Sequence, residues 1–365
     1  MTKSIMVTAG GTGGHLFPAL SLAQELTRRG YEIDLITDMR GDRYGTDFPA
    51  REIYKVQAAT ITGKDPVSIA KTVMKLGSGT AKARKILKKV KPACIVGFGG
   101  YPTFPPIFAA KSLGIPAILH EQNAIMGRAN RMLAGKSDAI ALSFEKTIYV
   151  EGELAKKASL TGNPVRDAVI EAAKKPYPEI DTKSQFNLLI FGGSQGARYF
   201  SDEVPPAIKA LPDDVKDRIN IVQQCREEDM QRVEKAYREL GIAFEISTFF
   251  PNLPDVIADS HLVIARSGAS TITELAVIGR PSILVPLPHS LDNDQLLNAG
   301  FLRDAGGAIC MEQKDLDAAR LAEDLTKLAR DPSMLRNAAI AAKEVGMLDA
   351  VQRLGELVEK IAGGA

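Results

Sequence analysis

The feature that most constrains this chain is a pattern that occurs twice. A short apolar run, Ile5-Met6-Val7, meets the glycine-rich turn Gly10-Gly11-Thr12-Gly13-Gly14. Leu16, Ala19, Leu20, Ala23 and Leu26 then recur at helical spacing until Gly30 closes the helix. About half the chain later the design returns: Asn187-Leu188-Leu189-Ile190-Phe191, then Gly192-Gly193-Ser194-Gln195-Gly196-Ala197-Arg198, then another helical stretch. Further strand candidates alternate with helices at Glu32 to Thr37, Ala93 to Phe98, Ala117 to His120 and Ala139 to Ser143. The second half repeats this at Asn220 to Cys225, Phe244 to Thr248, Leu262 to Ala265 and Ser282 to Pro286. Continuous apolar strands separated by helices predict parallel sheets covered on both faces, so each half is expected to be a Rossmann-like α/β domain. A length of 365 residues suits two such domains at roughly 150 residues each. The joint is expected near Gly162-Asn163-Pro164, giving domains 1–163 and 164–344. The periodicity of the last helical stretch, Leu348 to Ile361, does not choose between the halves.

Composition narrows the class. Apolar residues at 45% and charged residues at 25% are those of an ordinary globular protein, and a net charge of +2 argues against a nucleic-acid partner. That small balance hides an asymmetry. Residues 1–163 carry 23 Lys and Arg against 13 Asp and Glu, a net of +10, whereas residues 164–365 carry a net of −8. Much of the excess lies between Lys64 and Lys91, where Lys64, Lys71, Lys75, Lys82, Arg84, Lys85, Lys88, Lys89 and Lys91 face one acid, Asp65. Interleaved Ile69, Val73, Met74, Leu76, Ile86, Leu87 and Val90 make this an amphipathic segment, suited either to a membrane surface or to a solvated helix face. Cys94, Cys225 and Cys310 are odd in number and far apart, which fits a reducing compartment and supports neither a disulfide framework nor a CxxC metal site. No export signal is expected, because the glycine turn at Gly10 comes before a hydrophobic stretch of sufficient length. The uncharged run from Pro92 to Ala110 contains four prolines and three glycines and reads as strand, loop and helix start, not as a membrane span.

Glycine turns between strand and helix let backbone amides approach a phosphate, and the helix dipole adds positive potential there. The turn Gly10 to Gly14 does not match the dinucleotide GxGxxG fingerprint, and His15 follows it directly, so hydride transfer is disfavoured. Gly97-Phe98-Gly99-Gly100-Tyr101 supplies another such turn in the same half. In the second half, Arg266-Ser267-Gly268-Ala269-Ser270-Thr271-Ile272-Thr273-Glu274 follows a strand and opens a helix, so its amides suit a phosphate and Glu274 suits sugar or ribose hydroxyls. The spacing Thr271-x-x-Glu274 is equally that of a capping box.

Taken in order, Gly10 to His15, Gly99-Gly100-Tyr101, His120-Glu121-Gln122-Asn123, Gly162-Asn163-Pro164-Val165-Arg166, Gly192 to Ala197 and Arg266 to Glu274 cover nearly the whole chain. This set resembles the bacterial MurG family of N-acetylglucosaminyltransferases, which extend undecaprenyl-pyrophosphoryl-MurNAc-pentapeptide (lipid I) to lipid II in peptidoglycan synthesis. The resemblance implies a GT-B architecture of two Rossmann-like domains with the active site in the cleft between them. It implies UDP-N-acetylglucosamine as donor on the acidic half, and the lipid-linked acceptor on the basic half at the cytoplasmic face of the membrane, where the protein is peripheral. By the same carry-over the turn Thr12, Gly13 and Gly14 binds substrate, Phe250 offers backbone groups to uracil beside Phe249, and Glu274 takes the ribose hydroxyls. Ser194 with Ala269, Ser270, Thr271, Ile272 and Thr273 holds the phosphates, and Asn123, Arg166 and Gln295 reach the donor sugar or its phosphates. The C-terminal helix, 345–365, is expected to return to the first domain.

His15 is the leading general base, since attack of an acceptor hydroxyl requires removal of a proton and an imidazole beside a phosphate loop suits that work. Glu121 is the rival, with anchoring of the Gln122-Asn123 loop as its other reading. His120, His261 and His289 lack zinc-ligand spacing. Asp292-Asn293-Asp294, ahead of Gln295, departs from the family pattern and has the Asp-x-Asp form that holds a divalent cation in other sugar-nucleotide transferases. The helix-terminus phosphate sites nevertheless favour an inverting, metal-independent displacement without a cofactor. A related glycolipid synthase acting on diacylglycerol, a non-catalytic nucleotide-sugar binder and a nicotinamide oxidoreductase are the alternatives.

Overall fold

The computed structural model describes residues 3–10, 13–38, 48–58, 66–193 and 196–363, with side chains in the helix that begins at Pro66 described from Thr72 onward. Thr12, Ser194 and Lys64 therefore lie outside the described residues, as does the side chain of Lys71. The chain divides into two compact units, residues 1–166 with 349–365, and residues 167–348.

The first unit runs β1 (Ser4–Thr8), α1 (Gly13–Arg28), β2 (Glu32–Thr37), β3 (Glu52–Lys55), α2 (Pro66–Val90), β4 (Cys94–Gly97) and α3 (Phe104–Ser112). It continues with β5 (Ala117–Glu121), α4 (Arg128–Ala134), β6 (Ala139–Leu142), α5 (Glu153–Lys156) and β7 (Ala158–Leu160). The strands form one parallel sheet in the order β3-β2-β1-β4-β5-β6-β7, with Val7 opposite both Leu35 and Val96. Alternate side chains leave opposite faces of a strand, and here both faces are apolar. Ile5, Val7, Leu35, Val96 and Ile118 meet α1 through Leu16, Leu22 and Leu26, while Met6, Ile36, Ile95, Leu119 and Ile140 meet α2, α3 and α4 through Leu87, Ile107 and Leu133. This double covering explains why the central strands read as unbroken apolar runs. The edge strands β3 and β7 are half exposed and carry no such run. In α2 the buried positions Thr72, Gly79, Ala83 and Leu87 follow helical spacing, and Lys75, Lys82, Arg84, Lys85, Lys88 and Lys89 are exposed. Leu76 is half buried. A Cβ on Gly79 would sit 2.3 Å from the Gln57 carbonyl, so only glycine lets α2 approach this closely.

The second unit runs α6 (Asp167–Ala172), β8 (Phe186–Phe191), α7 (Arg198–Lys209), α8 (Asp213–Lys216), β9 (Ile219–Gln224), α9 (Glu227–Leu240) and β10 (Ala243–Ser247). It continues with α10 (Leu253–Ala258), β11 (Leu262–Ala265), α11 (Ala269–Ile278), β12 (Ser282–Leu284), α12 (Asp294–Ala305), β13 (Ala308–Cys310), α13 (Ala318–Arg330) and α14 (Pro332–Glu344). Its sheet is again parallel, ordered β10-β9-β8-β11-β12-β13. In both sheets the first strand of the unit lies inside, between strands whose connections leave in opposite directions. That is the switch point at whose C-terminal edge such sheets bind ligands.

The last helix, α15 (Ala350–Gly363), packs on the first unit, burying Leu354, Val358 and Ala362 in the cluster that contains Leu22 and Leu26 of α1. Arg29 fastens it, donating to Glu359 at 2.9 Å and to the Gln352 carbonyl at 3.2 Å while also pairing with Glu25 at 2.8 Å. Gly355 leaves room for that guanidinium, since a Cβ there would lie 2.9 Å from its central carbon. Among the described residues no helix is long and apolar enough to cross a membrane.

Candidate active site

The first unit gathers its chemistry at the C-terminal edge of β1, β4 and β5. Gly13 and Gly14 open α1 and His15 follows in its first turn, half buried. Three glycines pack around the imidazole. A Cβ on Gly10, Gly99 or Gly100 would lie 3.3 to 3.4 Å from a ring carbon, and Gly99 and Gly100 also adopt positive φ angles of 84° and 75°. The positive φ favours glycine at Gly99 and Gly100.

His15 Nδ1 lies 3.1 Å from Gln122 Oε1. The Gln122 amide nitrogen lies 2.8 Å from His120 Nδ1 and donates to the His120 carbonyl at 3.0 Å. His120 Nε2 lies 3.1 Å from the Gly162 carbonyl. Fully buried, this histidine is pushed down to a pKa of about 4 by loss of water, against the opposing pull of the Gly162 carbonyl and with His15 nearby adding to the depression.

Glu121 is also buried. One of its oxygens accepts from the Asn123 backbone at 3.0 Å and the Asn123 amide at 3.3 Å; the other accepts from the Gly127 backbone at 2.9 Å and Asn130 at 2.8 Å. Burial raises its pKa, and those four donors pull it back down. With both oxygens bound to its own loop and the helix that follows, the carboxylate anchors the segment 122–130 and thereby holds Gln122 and Asn123. Arg166 reaches the same region, its guanidinium carbon 4.6 Å from the centre of the Phe17 ring, two residues beyond His15.

In the second unit the residues meet at the ends of β8 to β12. The cap of α11 is Gly268, in extended conformation, and Ala269, Ser270 and Thr271 are the first three helical residues. Thr271 thus lies inside the first turn, not at the cap, which removes the capping-box reading of Thr271 and Glu274. Glu274 is buried in the second turn, on the same helix as Ile272 and as Thr273, whose hydroxyl donates to the Ala269 carbonyl at 2.8 Å. The α11 start is held by Ser267, which donates to the Gln295 carbonyl at 2.8 Å, while Gln295 Oε1 accepts from the Leu287 amide at 2.9 Å. Gln295 is thus brought beside the turn that opens α11.

Arg266 is buried and ties β11 to the segment after β12, donating to the Val285 and Pro286 carbonyls at 3.0 and 3.1 Å. Gln224 plays the same part on the other side. It accepts from the Gly192 amide and donates to the Thr248 carbonyl, each at 3.1 Å, joining the glycine turn after β8 to the loop carrying Phe249 and Phe250. Phe250 is buried and Phe249 is 66% exposed. A Cβ on Gly192 would lie 2.3 Å from the Ala197 nitrogen, which makes glycine obligatory in that turn.

The Asp-x-Asp reading changes with the structure. β12 ends at Leu284, so Asp292 and Asp294 do not stand at a strand end. They begin a helix: Asp292 and Asn293 take φ of 56°, and Asp294 is the first residue of α12, where a carboxylate complements the helix dipole. Among the described residues no three His, Cys, Asp or Glu side chains gather so as to hold a metal ion.

Comparison with known proteins joins these two halves. Residues 5–142 match the glycosyltransferase family 28 N-terminal domain and residues 187–354 match the family 28 C-terminal domain. A relative from Brucella canis, named UDP-N-acetylglucosamine--N-acetylmuramyl-(pentapeptide) pyrophosphoryl-undecaprenol N-acetylglucosamine transferase, is 48% identical over 360 residues, covering 99% of this chain and 94% of its own. The chain belongs to glycosyltransferase family 28. A relative of the same name from Rhodopseudomonas palustris is 48% identical over 363 residues, covering 100% of this chain and 97% of its own. The crystal structure of MurG from Acinetobacter baumannii superposes with a TM-score of 0.80 at 28% identity, covering 98% of this chain and 99% of that one. The family 28 fold thus accounts for both parallel sheets.

The sequence marks the glycine turns and the His120-Glu121-Gln122-Asn123 segment but not the contacts that order them: Gln122 meets His15, Asn130 meets Glu121, and Gln224 holds the Gly192 turn, all from buried positions. A polar residue within an apolar strand or helix gives no sign of its partner.

Proposed function

We propose that this chain transfers N-acetylglucosamine from UDP-N-acetylglucosamine to undecaprenyl-pyrophosphoryl-MurNAc-pentapeptide, forming lipid II. The observation that carries this reading is 48% identity spread over 99% of the chain, through both units, to a protein named for that reaction. In the reaction a bond forms between the acceptor oxygen and the anomeric carbon as the bond from that carbon to UDP breaks. UDP departs with the bonding pair, and the acceptor hydroxyl gives its proton to His15. Direct displacement of this kind inverts the anomeric centre.

Donor recognition falls to the second unit. The amides at the start of α11, from Ala269 to Thr273, face the diphosphate with the helix dipole behind them. Glu274 takes the ribose hydroxyls, the Phe250 backbone meets uracil, and Gln295 reads the sugar. Ser194 joins the phosphate contacts from the glycine turn after β8. In the first unit Gly13 and Gly14 at the start of α1, with Thr12 before them in the sequence, bind substrate ahead of His15, and Asn123 and Arg166 contact the donor sugar or its phosphates. Glu121 acts as the anchor of Asn123 rather than as the base.

The acceptor's lipid carrier requires a meeting at a bilayer. Val73 and Met74 on α2, Phe108 on α3 and Met132 on α4 are exposed, as are Ile148 and Tyr149, and α3 packs against both α2 and α4. Cations accompany them: Lys136 lies 5.4 Å from the Phe108 ring and Arg131 lies 4.5 Å from the Tyr149 ring, besides the lysines along α2. Apolar side chains ringed by cations suit peripheral contact with an anionic cytoplasmic membrane face.

The test is transfer of radiolabel from UDP-N-acetylglucosamine to either a lipid I analogue or diacylglycerol. Label on the lipid I analogue alone supports the reading. Label on diacylglycerol makes the chain a glycolipid synthase, and UDP binding without transfer makes it a nucleotide-sugar binder.

A further inference from the structure

The histidine, the glutamine and the buried histidine behind it form a chain whose donors and acceptors can be assigned one by one. It starts from atoms with a single possible role. The His120 carbonyl only accepts, so the Gln122 atom 3.0 Å from it is the amide nitrogen and not the amide oxygen. The same nitrogen lies 2.8 Å from His120 Nδ1, which must therefore be the acceptor. His120 is then neutral with its proton on Nε2, and that proton points at the Gly162 carbonyl 3.1 Å away, another atom that only accepts. Complete burial independently keeps this ring uncharged. The orientation of Gln122 is thus fixed from both sides, and its Oε1 faces His15 Nδ1 at 3.1 Å. An amide oxygen cannot donate, so His15 carries a proton on Nδ1, and in the neutral ring the lone pair is then on Nε2.

We infer that Gln122 and His120 are positioning residues that hold His15 in the Nδ1–H tautomer, making Nε2 the atom that takes the acceptor proton. This rests on the proposed function for the identity of the base, although the tautomer itself does not. When Nε2 takes a proton, the ring becomes an imidazolium whose Nδ1–H still donates to Gln122 Oε1, so the relay orients both forms and no proton passes along it. The Gly162 carbonyl is its far end, and Glu121, through Asn123, Gly127 and Asn130, keeps the intervening loop in place.

Nitrogen NMR on protein carrying isotope-labelled histidine reads the tautomers directly, with His15→Gln and His120→Asn spectra assigning the signals. The expected spectrum of the unaltered protein shows protonated Nδ1 with unprotonated Nε2 for His15, and the reverse for His120. His15 protonated on Nε2 would overturn the inference without any activity measurement. Gln122→Met keeps the side-chain volume but neither hydrogen bond, and is expected to scramble the His15 signals. It should also lower kcat at least about tenfold with little change in KM for UDP-N-acetylglucosamine, as loss of an oriented base does. His120→Asn, which retains an acceptor where Nδ1 stood, should keep more activity than His120→Leu. Unchanged His15 signals and kcat in Gln122→Met would overturn the inference. If the unaltered protein makes no lipid II, the proposed function fails and the ring spectrum still decides the relay.

Discussion

Two residues show how much the surroundings decide. Glu274 and Thr271 have the spacing of a capping box, but the cap is Gly268, so the pair does not form one, and the role proposed for Glu274 is toward ribose. Glu274→Ala should remove one or two charge-assisted hydrogen bonds to ribose, roughly 1.5 to 3 kcal/mol each, and weaken UDP binding at least about tenfold. Calorimetry should find the melting temperature nearly unchanged; a large drop in melting with intact UDP affinity would return Glu274 to a structural role. His120 gives a pH dependence. Its folded pKa of about 4 lies below the ordinary 6.5, so the unfolded chain binds the proton more readily between those values. The stability it contributes is complete above about pH 6.5 and is lost as pH falls toward 4, an effect of roughly 3 kcal/mol. Glu121, whose pKa burial raises, works in the opposite sense. Comparing melting of the unaltered protein with His120→Asn across this range isolates the histidine: the gap should shrink in acid, and a constant gap would contradict a buried neutral ring.

At the scale of elements, strands with both faces buried announce themselves and most edge strands do not, β10 being the edge strand that the sequence marks. β1, β5, β8 and β11 were visible as apolar runs because helices cover both sides of them. β3, β7 and β13 are short, half exposed and paired on one side, so no run marked them. The site was legible to the same extent: glycine turns advertise themselves through composition, whereas Gln122 or Gln224 gains meaning only from the atoms its amide meets. The C-terminal helix was ambiguous by periodicity, since any amphipathic helix fits an apolar face. Arg29 and Gly355 are the complementary pair that specify its place. Ending the chain at Leu348 should therefore uncover the sites of Leu354 and Val358, each worth about 1.5 to 3 kcal/mol when fully buried, and lower the melting temperature of the first unit. Hydrogen exchange should locate the loosening in α1 and β1; unaltered protection there would show that α15 adds nothing to that core.

For the whole molecule, the proposed membrane contact makes a prediction from the split of +10 against −8 along the sequence: the basic residues are expected to face an anionic surface. Each Lys or Arg close to an anionic surface contributes about 1 kcal/mol, and a Debye length of about 8 Å at physiological salt limits its reach. Binding to anionic vesicles should be reversible and salt-sensitive, and replacing Lys75, Lys82 and Lys85 by Glu should abolish most of it. Equal sedimentation of both proteins would make the exposed face of α2 a solvated one. The central claim, that a family 28 chain uses His15 to make lipid II without a required metal, is reached by one measurement. It is the rate of lipid II formation from UDP-N-acetylglucosamine and a lipid I analogue after exhaustive chelation, for the unaltered protein and for His15→Ala. The account predicts sustained synthesis by the first and a rate at least about 100-fold lower in the second, with UDP affinity retained. No lipid II from the unaltered protein, synthesis restored only by Mg²⁺ or Mn²⁺, or equal rates from the two proteins would contradict it.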